Sequence, residues 1–328
     1  MGEIYDITII GAGPAGLFAG FYAGMRTAKT QIIESLPQVG GQVAALYPEK
    51  MVYDVGGYAG VKAATLAKEL EKQAQLVNTE IRLNETVIDI QKEQDFYHIK
   101  TTVAEYDTKA ILLATGNGAF NPRKLAVEGI ESLEDTKVFY HVPDFEHFMD
   151  QDVLIAGGGD SAIDIALMLE PIAKNVSLVH RRNQFRGMER SVENLKKSSV
   201  NVLTPYLIHD IKDDGEGIEV QLREIGTEAA KDMHFDKLIV NYGFTSSNKI
   251  IKGWQIDLDQ EHRMFSVNNL MQINQKNIYA IGDGVEYPGK LRLIATAFGE
   301  GPVAIDQIMS DLYPGKRGPV HSTSMFEK

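Results

Sequence analysis

The clearest pattern along the chain is a short apolar run followed by a glycine cluster, and it occurs twice. The apolar runs are residues 6–10, 30–34, 152–156 and 175–179, and the glycine clusters are residues 11–16 and 157–162. After each glycine cluster, apolar residues recur at helical spacing before the next apolar run begins. The pattern predicts two copies of strand, glycine turn, helix and strand, which is typical of parallel, doubly wound units.

Further strand patterns lie between and after these copies. Residues 86–90 and 96–101 alternate apolar and polar positions, which predicts antiparallel strands, and residues 218–222 repeat the alternation. Other strands are predicted to end at residues 114–116, 241–243 and 280–283, and a last helix to cover 295–312. The whole pattern predicts an α/β protein in which the parallel units carry antiparallel additions.

The composition narrows the class of protein. The 328 residues, with a mass of 36.3 kDa, are enough for about two domains of roughly 150 residues. The net charge of −12 argues against a nucleic-acid-binding surface, which needs a basic stripe. No apolar run reaches the roughly 18 residues of a membrane span. Because the first residues also lack a signal-peptide pattern, we expect a cytoplasmic protein.

Cysteine is absent from the chain. This excludes thiolate-ligated zinc, iron–sulfur clusters and any relay of electrons through paired thiols. We therefore predict no metal site.

The first glycine cluster matches the Gly-x-Gly-x-x-Gly fingerprint of a Rossmann-like dinucleotide site, with Gly11, Gly13 and Gly16 at its three positions. The first glycine makes the tight turn, the second lets the backbone approach a pyrophosphate, and the third lets the helix pack on the sheet. Glu34 ends the next strand, where a carboxylate accepts hydrogen bonds from a ribose diol and repels a 2′-phosphate. The alternative is a glycine turn that holds no ligand.

The second cluster has Gly157 and Gly159 at the first two fingerprint positions and Ala162 at the third, where alanine is accepted. The acid expected at the end of its second strand is missing. In its place stand basic residues suited to a phosphate dianion, since arginine presents a planar fork of donors: His180, Arg181, Arg182 and Arg186. The second unit is thus predicted to bind NADP(H), with a solvated basic segment as the alternative.

The two units together predict two different dinucleotides in one chain. Glu34 disfavours NADP in the first unit, and with a nicotinamide site present in the second, FAD is the better candidate there. Two such sites in series indicate hydride transfer from NADPH to a flavin.

The motifs, in their order and spacing over nearly the whole chain, resemble thioredoxin reductase. They are residues 11–16, 40–42, 114–116, 157–162, 180–182 and 278–283. Thioredoxin reductase carries a Cys-x-x-Cys pair just before its second glycine turn, and the corresponding residues 139–145 here contain no cysteine. The chain is therefore similar to the thioredoxin-reductase-like ferredoxin–NADP reductases, which lack those cysteines and add a C-terminal tail over the flavin. Residues 46–50, 116–120 and 321–324 are similar to that family's own signatures.

This resemblance implies two dinucleotide-binding domains of the thioredoxin reductase type, the second inserted in the first. The FAD domain would comprise residues 1–117 and 248–328, and the NADPH domain residues 118–247. The glycine turn of the NADPH domain would include Asp160 and Ser161. The helix from about Leu293 would point its positive end at the flavin.

The resemblance also implies individual flavin contacts. Gln42 would reach the flavin or its ribityl chain, and Asp283 would bind the ribityl chain. The other implied contacts are Tyr47 and His321 stacking on the two flavin faces, Val87 beside the adenine, Phe120 at the domain hinge and Ser324 in the tail. Each has a plainer alternative, namely a surface aromatic for Tyr47, strand core for Val87 and an inert terminus for His321.

The function that the resemblance implies is a ferredoxin–NADP reductase. NADPH would pass hydride to FAD, and single electrons would then go to ferredoxin or flavodoxin, with no side chain acting as acid or base. One alternative is an NADPH diaphorase or oxidase that uses quinone, free flavin or oxygen. Another is a non-catalytic, dinucleotide-dependent regulatory protein. A homodimer is also implied.

An acidic ferredoxin would be repelled by a chain of net charge −12 unless a local basic patch steers it. We take as candidates for such a patch the cations expected near the flavin: Lys50, Lys62, Lys290, Arg292, Lys316 and Arg317.

Overall fold

The computed structural model describes residues 4–116, 118–142, 144–247, 249–316 and 318, and of residues 119–121, 244–247 and 249 only the backbone. Two compact units divide the chain: residues 1–119 with 246–328 form the first, and residues 120–245 form the second. The chain passes between the units twice, so the second unit is an insertion in the first. No helix among the described residues is long and apolar enough to cross a membrane.

The elements of the first segment are β1 (Tyr5–Ile10), α1 (Pro14–Met25), β2 (Thr30–Ile33), α2 (Gly41–Ala45), β3 (Met51–Val52), β4 (Val61–Lys62), α3 (Ala63–Gln75), β5 (Glu80–Arg82), β6 (Val87–Lys92), β7 (Tyr97–Thr101) and β8 (Glu105–Leu113). Strand β9 (Ala119–Pro122) begins at the last residue of this segment and continues into the second unit. Those that follow in the second unit are β10 (Val138–Phe139), β11 (Asp152–Gly157), α4 (Asp160–Leu169), β12 (Asn175–Val179), α5 (Glu189–Lys197), β13 (Asn201–Leu203), β14 (Tyr206–Asp213), β15 (Ile218–Glu224), β16 (Ala230–Phe235) and β17 (Lys237–Asn241). The remaining elements are β18 (Phe244–Ser247), α6 (Lys249–Lys252), β19 (Gln260–Glu261), β20 (Met264–Ser266), β21 (Ile278–Ala280), β22 (Val285–Glu286) and α7 (Ile294–Leu312).

The first unit is built on a seven-stranded sheet in the order β5-β2-β1-β8-β7-β6, with β21 also paired to β8. The strands around β1 are parallel, whereas β6 and β7 pair antiparallel, as their alternating sequence predicts. Ile7 and Ile9 enter one hydrophobic core and Ile10 enters another on the opposite face. Burial on both faces explains why β1 is an almost continuous apolar run.

The second unit repeats this plan on a smaller scale. Its five-stranded sheet is parallel throughout, in the order β10-β17-β11-β12-β13, and a three-stranded antiparallel sheet of β14, β15 and β16 follows β13 in the chain. Leu154 and Ile155 of β11 enter different cores, so this strand too is covered on both faces. In each unit the glycine turn follows a central strand, at the carboxyl edge where nucleotides bind in such sheets.

Candidate dinucleotide sites

The first glycine turn joins β1 to α1, and two of its glycines are required by the chain itself. Gly11 has φ +108°, and a Cβ there would lie 2.4 Å from the carbonyl oxygen of Ala114. A Cβ on Gly16 would lie 1.9 Å from the carbonyl oxygen of Gly11. These contacts bring β1, α1 and the end of β8 together at distances that no larger residue permits.

Gly13 differs, because a Cβ there would meet no protein atom within 4 Å. Its φ of −70° is accessible to any residue, and it caps the N-terminus of α1, which begins at Pro14. Neither backbone geometry nor packing in the described residues therefore calls for glycine at this position. The residue fits a site where a phosphate approaches the backbone and the free N–H groups of the helix start.

Glu34 stands directly beside this turn and is 7% exposed. Its Oε2 accepts the N–H of Ala12 at 2.7 Å, while Oε1 accepts the N–H of Leu36 at 2.9 Å and the hydroxyl of Ser35 at 3.2 Å. A carboxylate has about four lone-pair sites, so these three bonds fix its orientation and leave capacity for a ribose hydroxyl. The ribose-binding role of Glu34 stays a prediction, and this geometry suits it.

Gln42 and Val87 are placed by contacts that the sequence did not indicate. Gln42 lies in α2, which is tied to the turn because the N–H of Gly40 donates to the carbonyl of Ala12 at 2.8 Å. Val87 is 4% exposed and its carbonyl accepts the indole N–H of Trp254 at 3.3 Å. Trp254 is thus both core and a support for the backbone expected to contact adenine. Tyr47 follows α2 in a loop and its ring lies near Lys50.

Asp283 lies directly after Gly282, at the carboxyl end of β21, where burial raises its pKa despite the opposing effect of Lys290 and Arg292. Glu300 of α7 organises this region. It accepts hydrogen bonds from the N–H of Gly282 at 2.7 Å, the hydroxyl of Tyr287 at 2.7 Å and the ammonium of Lys290 at 2.5 Å. Glu300 could not be predicted from the sequence, because one glutamate in an amphipathic helix carries no signal of its partners.

Other predicted flavin contacts are not described. Only the backbone of Phe120 is described, and His321 and Ser324 lie outside the described residues.

The second glycine turn joins β11 to α4 and has the same open position. A Cβ on Gly159, which caps α4, would meet no atom of the described residues within 4 Å, as at Gly13. Gly158, the preceding residue, is required by packing, because a Cβ there would lie 2.2 Å from the ring of His180. In both turns, then, the open glycine is the one expected to face a pyrophosphate.

The loop after β12 carries the predicted 2′-phosphate ligands and is pinned to this turn. The N–H of Arg186 donates to the carbonyl of Gly158 at 2.7 Å, and the N–H of Met188 donates to Asp160 Oδ1 at 2.7 Å. The carboxylate of Asp160 therefore holds the loop. Its neighbour Ser161 is the second residue of α4.

The three arginines of the loop, Arg181, Arg182 and Arg186, are all exposed. Within the described part of the chain, none of their guanidinium groups pairs with a carboxylate. Uncompensated cations at the end of β12 fit a dianionic ligand.

His180 is placed differently from these arginines. It is 7% exposed, and its ring packs on Phe185 with centroids 5.3 Å apart. Burial, and after it the charges of the nearby arginines, lowers the pKa of His180 below its ordinary value. The imidazole is therefore neutral at pH 7 and adds no positive charge to the site.

The predicted steering patch is wrong for Lys290, whose side chain is 1% exposed and paired with Glu300. Other candidates are also engaged. Lys62 pairs with Glu49 at 2.5 Å, Arg292 lies 3.7 Å from Glu286, and Lys316 donates to Thr27. Arg317 lies outside the described residues. Sequence position alone did not show which cations had acidic neighbours.

Comparison with known proteins gives the family. The model of the pyridine nucleotide-disulphide oxidoreductase family matches residues 5–301. A protein of Pediococcus pentosaceus named ferredoxin–NADP reductase is 80% identical over the full length of both chains. The chain belongs to the ferredoxin–NADP reductases of the pyridine nucleotide-disulphide oxidoreductase family. The ferredoxin–NADP reductase of Halalkalibacterium halodurans is 50% identical, and the alignment covers 99% of this chain and 98% of that protein.

Solved structures confirm the thioredoxin-reductase-type fold expected of this ferredoxin–NADP reductase. Thioredoxin reductase of Lactococcus lactis has a TM-score of 0.81 and 27% identity, with 93% of this chain and 98% of that chain covered. The enzyme of T. acidophilum has a TM-score of 0.83 and 25% identity, with coverages of 95% and 99%. Since this chain has no cysteine, it has the fold of a disulphide oxidoreductase without a thiol pair.

Proposed function

We propose that this chain is a flavoprotein reductase in which the first unit holds FAD and the second holds NADPH. One observation carries the assignment. Each glycine turn has one glycine that packing among the described residues does not explain, and the two turns differ in charge at the next strand end. The first has the oriented carboxylate of Glu34, and the second has Arg181 and Arg182, which pair with no carboxylate among the described residues. A carboxylate suits a ribose diol, and arginines suit a 2′-phosphate.

The side chains named above bind and orient the two dinucleotides. Glu34, Gln42 and Asp283 are assigned to the FAD side, with Tyr47 and Val87 as further contacts. FAD, when bound, supplies the link between two-electron hydride chemistry and one-electron transfer. We assign no side chain an acid or base role, so the chain's contribution is position and electrostatics.

Ferredoxin is the proposed electron partner, because the relatives that cover the whole chain carry it in their names. Flavodoxin as an alternative acceptor, a homodimer and a cytoplasmic location extend this proposal on the family resemblance alone. Sedimentation at equilibrium would test the dimer.

Anaerobic mixing of the purified holoenzyme with NADPH tests the proposal. We expect rapid loss of the visible flavin absorbance, and a much slower loss with NADH. Subsequent addition of ferredoxin should restore the absorbance faster than a quinone or oxygen does. Faster reoxidation by quinone or oxygen would favour a diaphorase or oxidase, and bound FAD that NADPH fails to bleach would favour a non-catalytic protein.

A further inference from the structure

Asn241 ends β17, the strand beside β11 in the parallel sheet of the second unit. It pairs in register with Gly157, the residue that ends β11 and opens the glycine turn. The contact is close, since a Cβ on Gly157 would lie 2.7 Å from the carbonyl oxygen of Asn241 and 3.2 Å from its Cβ. Asn241 is therefore fixed at the carboxyl edge of the sheet, directly beside the turn.

The side-chain amide nitrogen of Asn241 is buried and has no hydrogen-bond partner among the described residues. A buried donor without a partner is costly, so each one in a native structure calls for an explanation. Nothing in the packing supplies it here, because an apolar residue of similar size would fill the position without that cost. A ligand acceptor at the carboxyl edge would satisfy the amide.

The position of Asn241 in the sheet indicates which half of a bound dinucleotide its side chain would contact. The turn at the end of β11 lies between β12 and β17, and the arginines Arg181 and Arg182 follow β12. A dinucleotide crosses such a sheet with its adenosine end at the strand that carries the ribose or phosphate ligand, and its pyrophosphate at the glycine turn. The half beyond the pyrophosphate then lies over β17.

The Nε2 atom of His180 is likewise buried without a partner among the described residues, but its surroundings differ from those of Asn241. It lies on the other side of the turn, after β12, and its ring closes over Gly158 and packs on Phe185. The packing of that ring accounts for the residue, whereas no comparable contact with the described residues accounts for the amide of Asn241.

We propose that the side-chain amide of Asn241 donates a hydrogen bond to an oxygen of the nicotinamide mononucleotide half of NADPH. The inference rests on the proposed NADPH site in the second unit and adds a binding residue to it. Asn241 would thus contribute equally to NADPH and NADH, whereas the arginines would contribute only to NADPH.

Calorimetric titration of the holoenzyme with two probes tests this, namely NADP⁺ and adenosine 2′,5′-bisphosphate, which lacks the nicotinamide half. For Asn241→Leu we expect the dissociation constant for NADP⁺ to rise about tenfold and that for the bisphosphate to stay unchanged. The melting temperature without nucleotide should not fall, because the variant removes an unpaired buried donor. Asn241→Asp keeps the size of the side chain and loses the donor, so it should weaken NADP⁺ binding at least as much. It replaces Asn241→Leu in the experiment if the leucine variant does not fold.

Arg182→Gln is the matched control, and it should weaken the bisphosphate and NADP⁺ alike. Equal loss of both probes in the Asn241 variants would overturn the inference, because it would indicate a distorted turn. Unchanged NADP⁺ binding would overturn it as well. If the wild-type protein binds neither probe, the proposed NADPH site itself is wrong, and the two failures are thereby distinguished.

Discussion

Lys290 donates to Glu300 over 2.5 Å inside the first unit, where their side chains are 1% and 4% exposed. Glu300 also accepts the N–H of Gly282, so the pair fixes the backbone just before Asp283. A buried ion pair is not by itself a source of stability, because both charges lose their hydration. Here it has a structural consequence, since it holds a residue expected in the flavin site.

Removing only Lys290 should therefore be costly. We expect Lys290→Met to lower the free energy of unfolding by about 3–5 kcal/mol, because it leaves the Glu300 carboxylate buried without its cation. The double variant Lys290→Met/Glu300→Gln should recover part of this loss, since it removes the uncompensated charge. Urea unfolding of the protein without FAD measures both effects.

Lys62→Met is the matched control for that experiment. Its pair with Glu49 has the same 2.5 Å distance, but the side chains are 55% and 35% exposed. Exposed pairs contribute about 0–1 kcal/mol, so this variant should be nearly neutral. Equal losses in the buried and exposed variants would contradict the role given to burial.

Alanine substitutions in the first turn should affect either FAD binding or stability, depending on which glycine is replaced. Gly13→Ala should leave the free energy of unfolding of the FAD-free protein within about 1 kcal/mol of wild type, because its φ suits alanine and its Cβ would meet no atom of the described residues within 4 Å. It should nevertheless weaken FAD binding about tenfold or more, because the methyl group would occupy the space expected for the pyrophosphate. Titration of the apoprotein with FAD, followed by flavin fluorescence, measures the affinity.

Gly16→Ala is the contrasting variant. Its Cβ would stand 1.9 Å from the carbonyl oxygen of Gly11, so the loss of stability should exceed about 3 kcal/mol even without FAD. If alanine at residue 13 left FAD binding unchanged, the assignment of that glycine to a ligand would fail.

Coenzyme preference should depend on the exposed arginines after β12. We expect Arg181→Gln/Arg182→Gln to lower kcat/KM for NADPH by at least about 100-fold, as each lost charge-assisted hydrogen bond contributes about 1.5–3 kcal/mol. The value for NADH should change little, because NADH has no 2′-phosphate. Steady-state rates with both coenzymes measure this, and Lys174→Gln, which removes an exposed lysine paired with Asp152 in the same unit, is the control.

Much of the fold could be predicted from the sequence, because the signals are local. The apolar run 175–179 is β12 residue for residue, and the last helix begins at Ile294, one residue before its predicted start. The small strands β3 and β4 were not predicted, since two-residue strands have no period to detect. Local patterns thus identified the parallel units but not their minor additions.

The candidate sites could be predicted only where a residue type and its place in the chain carry the chemistry. Gly13 and Glu34 belong to a spaced fingerprint. Glu300 and Asn241 belong to no such motif. Glu300 is important through partners on other elements of the fold, and Asn241 through an amide that has no partner among the described residues. The burial of Lys290 could not be predicted for the same reason, since the Pro288-Gly289 pair before it is typical of an exposed turn.

The burial of His180 should make the stability of the protein depend on pH. Burial lowers the folded-state pKa of this histidine below the ordinary value of 6.5, which the unfolded chain retains. Well above pH 6.5 the ring is neutral in both the folded and the unfolded state, so its contribution to stability is fully present. As the pH falls below 6.5, the unfolded state takes up the proton first and the free energy of unfolding declines, by at most about 1.4 kcal/mol per pH unit. The decline from this ring ends below the folded pKa.

Urea unfolding of wild type and His180→Gln between pH 5 and 8 measures this contribution as a difference. Glutamine is neutral throughout, so the stability of the variant relative to wild type should rise as the pH falls, while all other titrating groups cancel. His98→Gln is the control with the opposite sign, because hydrogen bonding to Asp107 raises the pKa of that histidine. Removing His98 should therefore cost more stability at low pH than at high pH. Parallel pH profiles for wild type and His180→Gln would show that the ring at residue 180 is protonated equally in both states, contrary to its burial.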